Sequence, residues 1–259
     1  MSESELSIAY SDLMLEVAAF LGYSPDSTAW TTAETAELDR YVQAGVRRVY
    51  YPPAVAGVEA GYAWTFLSPV ATLSTVASTG TQDLPPALGR VLGQFHFAPA
   101  VYKPSIVQVS EDKYRALLAD SNLTGPPQVA RVRQKAGQYG VGQRLEVSWW
   151  PIPDAAYDLT YRYEGYSGKL SAVNPYPLGG MRHAELYVQS CLAVAEQRAN
   201  DERGLHAEEF DRLLAAASQQ DRRLNATNYG HMGGCEGHSA VPRHFAGVRH
   251  DIVYKGITY

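Results

Sequence analysis

The chain has 259 residues, 46% of them hydrophobic and 19% charged, so it is long and apolar enough to bury a sizeable core. Its 22 basic and 27 acidic side chains give a formal charge of −5, which argues against a general binder of phosphate backbones. No apolar run approaches a membrane span, "MSESELSIAY" lacks the basic start of a secretory signal, and two cysteines, Cys191 and Cys235, build no disulfide framework.

In chain order, residues 4–21 place Leu6, Tyr10, Leu13, Met14, Val17 and Leu21 at helical spacing, with Gly22 as a stop. A second helix follows a capping-box pattern, Thr31 with Glu34, and carries Leu38, Tyr41, Val42, Gly45, Val46 and Val49 on one face. Glu37, Arg40, Arg47 and Arg48 mark its other face, and "YYPP" ends it. From Trp64 to Glu164 the pattern turns to strands. "WTFLSPVATLSTV", "SIVQVS" and "QVARVRQ" read as strands, "TGTQDLPPALG" as loop, and a short helix starts at Ser110. "RLEVSWWPIPDAAYDLTYRYEG" reads as a hairpin, with Leu145, Val147 and Trp149 on one face of its first strand and Leu159, Tyr161 and Tyr163 on one face of its second. Trp150 points the other way.

Helices then return. Leu186, Tyr187, Cys191, Val194 and Ala195 line one, Phe210, Leu213, Leu214, Ala217 and Leu224 line the next, and "NDERG" separates them. From Asn225 the chain is rich in Gly and His and has no period until "HDIVYKGITY", which alternates like a lone strand. The predicted fold is α+β: a helical bundle with an inserted antiparallel β domain and an extended C-terminal tail. Its parts are an N-terminal helical pair (1–55), the β domain (56–175), a second helical pair completing the bundle (176–224) and the tail (225–259). That layout brings residues of the 50s and 180s together.

The search for chemistry fails template by template. "GQYGVGQ" lacks the Lys-Ser/Thr ending of a phosphate loop, and neither Gly-x-Ser-x-Gly nor His-Glu-x-x-His occurs. His206 and Glu209 share one helical turn, as on an ordinary solvated face. His231, Cys235 and His238, with His244 as a fourth, have plausible spacing for zinc, but no second ligand pair of the usual kind accompanies them. No catalytic residue, metal or cofactor is therefore assigned. The 18 tyrosines against 6 phenylalanines point instead to surfaces that are wet in one state and buried in another. A carbohydrate site at Trp150, Asp154 and Tyr157 requires those rings to be exposed. The competing reading is a β-sandwich module with helical flanks that binds carbohydrate or a receptor.

"YVQAGVRRVYYPP", "WTFLSP", "WWPIPDAAYDLTYRYEG", "YPLGGMRHAELYVQSCLAVAEQ" and "IVYKGITY", in this layout, resemble the head-to-tail adaptor (connector) proteins of tailed bacteriophages. The resemblance covers most of the chain by architecture. It implies a structural virion protein, not an enzyme, made in the host cytoplasm. Such proteins form a ring, of twelve copies, beneath the portal at the head–tail junction. The implied partners are the portal, neighbouring copies of the chain, and a downstream tail or neck protein. Neither membrane nor sequence-specific nucleic acid is implied, although the ring lumen passes DNA. The candidate contact residues are Trp150 and Tyr157 on the hairpin, and Ile252, Val253, Tyr254, Ile257 and Tyr259 on the tail, whose strand would extend a partner's sheet edge.

Overall fold

Helical spacing of apolar residues builds four long helices in the computed structural model, which describes residues 4, 6–99, 104–120, 123–135, 137, 142, 144–224, 253–254 and 257–258. The first, α1 (Tyr10–Leu21), starts at Tyr10 and not at residue 4, because the Asp12 carboxylate accepts the Ala9 N–H at 2.9 Å and caps the helix there. Leu6 is left exposed. The predicted capping box forms at α2 (Thr32–Tyr50): the Glu34 carboxylate accepts the Thr31 N–H at 2.7 Å, and the Thr31 hydroxyl accepts the Glu34 N–H at 3.2 Å. The later pair is α4 (Ala184–Asn200) and α5 (Leu205–Leu224), separated by Asp201 in the left-handed conformation within the predicted break. A shorter helix, α3 (Glu111–Asp120), lies among the strands.

The four long helices share one core, with Leu13, Val17, Leu38, Val42, Tyr187, Phe210 and Leu214 fully buried. Gly45 and Cys191 set the approach of α2 to α4. A Cβ on Gly45 would lie 2.6 Å from Cys191 Sγ and 2.7 Å from its Cα. The Ser190 hydroxyl donates to the Gly45 carbonyl at 2.8 Å across the same crossing. Residues of the 50s and 180s meet as the layout predicts: the Tyr50 hydroxyl accepts the Leu178 N–H at 2.8 Å, and its ring stands 6.1 Å from that of Tyr187. Trp64, fully buried, donates its indole N–H to the Val49 carbonyl at 2.8 Å. Near the end of α5, the buried Asp221 carboxylate accepts the Tyr62 hydroxyl at 2.9 Å, the Thr65 N–H at 3.1 Å and the Thr65 hydroxyl.

Two sheets lie between α2 and α4 in sequence, so the fold is α+β. One has the order β1 (Val70–Ser74), β7 (Asp158–Gly165), β3 (Leu88–Phe97) and is antiparallel. The other has the order β2 (Thr81–Asp83), β6 (Leu145–Trp150), β5 (Val129–Gln134), β4 (Val107–Gln108). Three expectations are corrected here. The stretch 144–165 is not a hairpin, since β6 pairs with β2 and β5 while β7 pairs with β1 and β3. Pro151 and Pro153, which lack amide donors, occupy the connection that carries the chain from one sheet to the other. Nor is the β region wholly antiparallel. The α3 crossover returns the chain so that β4 and β5 run parallel. Finally, Thr81–Asp83, inside the predicted loop, is a strand.

The apolar faces of the two sheets meet in a second core of Phe95, Val147, Trp149, Leu159 and Tyr161. The Phe95 ring sits 5.1 Å from both Trp149 and Tyr161. The opposite face of β6 is also covered. There Arg131 bonds both oxygens of Glu111 at 2.8 Å and the Ser148 hydroxyl at 2.7 Å, lies 4.3 Å above the Tyr114 ring of α3, and is itself buried. Residues 1–225 form one compact unit and 226–259 another. Within the second, β8 (Val253–Tyr254) and β9 (Ile257–Thr258) pair antiparallel, so the predicted lone strand turns back on itself.

Candidate interaction surfaces

Trp149 is fully buried between the sheets, while Trp150, at the end of β6, is half-buried opposite Val129 of β5. Alternation of side chains along a strand dictates this split. Tyr157 is half-buried. Its ring stands edge-on to Phe97 at 5.6 Å and its hydroxyl donates to Asp154 Oδ1 at 2.7 Å. Trp150 and Tyr157 thus sit at the two ends of the connection between the sheets, and Phe97 engages part of the Tyr157 ring. Of the tail candidates, Val253, Tyr254 and Ile257 lie on the short paired strands. Ile252 and Tyr259, like the zinc-spaced His231, Cys235, His238 and His244, lie outside the described residues.

Among the described residues, no group of three or more His, Cys, Asp or Glu side chains could hold a metal. His206 faces Gln189, with Nδ1 2.9 Å from Oε1, and packs edge-on against Phe20; Glu209 is engaged instead by Arg212. Burial pushes the Cys191 thiol up to about 12, which removes it as a nucleophile near neutral pH. None of the described helices is long and apolar enough to cross a membrane.

Two surfaces escape reading from the sequence. One is the edge of β1. Thr75 N–H bonds the Tyr157 carbonyl and Tyr163 N–H bonds that of Pro69, so the intervening register turns the backbone groups of Val70, Thr72 and Ser74 away from β7. Among the described residues, the Ser74 carbonyl alone finds a partner there, accepting from the Gln82 amide at 2.9 Å. The strand "VATLS" holds no charge and no proline, and Val70 is 70% exposed. The other is a cleft of about 640 Å³ between the outer side of α2, the end of α4 and residues 166–169. Finding it requires the α2–α4 crossing, which no local pattern specifies.

A comparison with curated proteins gives no match. The sequence model of the SU10 adaptor protein family, by contrast, matches residues 8–231, a span that takes in α1 to α5 and both large sheets. The match covers most of the chain, so the chain belongs to the SU10 adaptor protein family, a family of phage structural adaptors and not of enzymes.

Proposed function

We propose that this protein is a virion component that forms a ring beneath the portal and joins the phage head to the tail. The observation that carries the reading is the family match over residues 8–231. In this reading the four long helices make one bundle, interrupted by the β domain. The segment 225–259 docks on the portal or on the ring, with Ile252, Val253, Tyr254, Ile257 and Tyr259 as its apolar contacts. Trp150 and Tyr157 face a neighbouring copy or the next neck protein, and the lumen passes DNA without reading its sequence.

A closed ring of identical subunits is built from heterologous contacts, so one face must complement a different one. The uncharged edge of β1 and the cleft beside α2 are different surfaces of one subunit, and in this reading each needs its own complement on a neighbour. The test is reconstitution of purified chain with portal, followed by imaging and mass measurement. A closed ring on the portal vertex is expected. A single bound copy, a linear fibre or no binding would overturn the reading.

A further inference from the structure

The cleft beside α2 has an unusual charge inventory. Arg40, Ala44 and Arg47 recur at the spacing of one helical stripe, and Arg198 reaches in from α4 with its guanidinium 5.3 Å above the Tyr41 ring. A second hollow of about 520 Å³ shares Ala44 and Arg198 and adds Arg48, which stacks 4.7 Å over Phe210. Lys169 also lines the cleft, but its ammonium is 2.6 Å from Asp39 Oδ2, so that pair is neutral. Asp39 is further held by the Tyr10 hydroxyl at 2.8 Å and the Gln43 amide at 3.0 Å. Among the described residues no carboxylate lies within 4.0 Å of Arg40, Arg47 or Arg198, and eight ion pairs there use other arginines and lysines.

We infer that this cleft receives an acidic face of a second copy of the chain, and so forms the basic half of a head-to-tail contact. The inference rests on the ring reading above and names the surface that reading leaves open. Arg40, Arg47 and Arg198 line one cleft; Glu37 acts on Arg40 from one turn away, while Arg40 also donates its Nε–H to the Ala36 carbonyl at 3.3 Å. The formal charge of the chain is −5, so its remainder is more acidic still. Each copy therefore carries both the basic cleft and an excess of carboxylates elsewhere. The walls suit a protein ligand. Tyr51 and Tyr166, edge to face at 5.8 Å, are partly exposed rings with polar tips, the residue type enriched in protein interfaces. Arginine presents a planar fork that matches carboxylates in pairs.

The test uses the full chain and two double variants, Arg40→Glu with Arg47→Glu and Arg40→Gln with Arg47→Gln. The neutral pair guards against the cost of an anion in the last turn of α2. By sedimentation at low and high salt, the wild type should self-associate in a concentration-dependent way that salt weakens. Both variants should associate about tenfold more weakly or worse, with unchanged melting temperature. A wild type that stays monomeric at every concentration, or variants that associate like wild type, overturns the inference. Variants that still close a full ring on the portal also overturn it and leave the adaptor role standing, whereas a wild type that forms no ring on the portal defeats that role whatever the cleft does. Fluorescence anisotropy with a labelled DNA duplex supplies the last arm. Binding by wild type that the variants lose, with self-association untouched, would assign the cleft to nucleic acid and refute the assignment made here.

Discussion

Replacing Gly45 with alanine adds a single methyl group where α2 crosses α4. That carbon would stand 2.6 Å from Cys191 Sγ, 2.7 Å from its Cα and 2.8 Å from its N. Carbon contacts settle near about 3.5–4.0 Å, so the helices must part by about 1 Å at the crossing. Two of the three opposing atoms belong to the backbone and cannot rotate aside. Alanine restores about 1 kcal/mol of helix propensity relative to glycine. Overpacking a core costs about 1–3 kcal/mol, and the upper end applies where backbone is struck and a buried hydrogen bond, Ser190 to the Gly45 carbonyl, lies at the same point. The net expectation is a loss of about 1–2 kcal/mol, or a melting temperature about 2–8 °C lower for a domain of this size. Thermal unfolding followed by near-ultraviolet circular dichroism measures it. Adding Cys191→Ala should recover only part of the loss, because the Cα and N of residue 191 remain. A Gly45→Ala protein as stable as the wild type would refute the close approach on which the helical core is built.

Trp149→Ala should cost about 3–5 kcal/mol, because it empties the space between the two sheets; Trp150→Ala should cost much less and weaken assembly, and equal unfolding by both would show that the faces of β6 are misassigned. His183 lies buried under Trp64 and Phe66, and burial holds its pKa below 6.5 although Asp221 works in the opposite direction. The unfolded chain therefore binds a proton that the folded chain refuses, so stability should fall as pH drops below about 6.5 and continue to fall until the folded group titrates. His183→Gln should flatten that slope in denaturant titrations between about pH 7 and pH 5, and an unchanged slope would remove His183 as its source. Deleting 226–259 should leave the circular dichroism and melting of the remaining unit intact and abolish attachment to the portal in a pull-down, and a truncated chain that still binds would reassign docking to another surface.

Legibility in the sequence follows how local each determinant is. The capping box at Thr31 and Glu34, the apolar face of α2 and the break after α4 are written within a few residues, and each forms where the pattern places it. The split between Trp149 and Trp150 is equally local. Strand partners are not. Both strands around "PIPDAAY" turn an apolar face to the same core, so their alternation is identical whether they pair with each other or face each other from two sheets. The longest strand, β3, hides because its register shifts between Leu88 and Arg90 and again between Leu92 and His96, which interrupts the period of two. Glu146 and Ser148, on the face of β6 away from the sheet core, are buried beside Arg133 and Arg131, contacts that only the strand pairing brings together. The basic cleft depends on residues of α2, α4 and the 166–169 stretch that only the tertiary fold brings together.

The bare flank of β1 has a practical consequence for anyone handling this protein. Most sheet proteins guard such a flank with a lysine, a proline or a bulge, because an unguarded one templates further strands without limit. Here Val70, Ala71, Thr72, Leu73 and Ser74 keep unbroken register to β7 and hold no lysine, proline or bulge, with Pro69 standing only at the start of the strand. Concentrated stocks of the free chain should therefore thicken into sheet-linked aggregates, detectable by thioflavin fluorescence, faster than the acidic composition alone would suggest. A lysine at Val70 or Thr72 points its side chain to solvent, leaves both cores untouched, and should give clear, long-lived solutions.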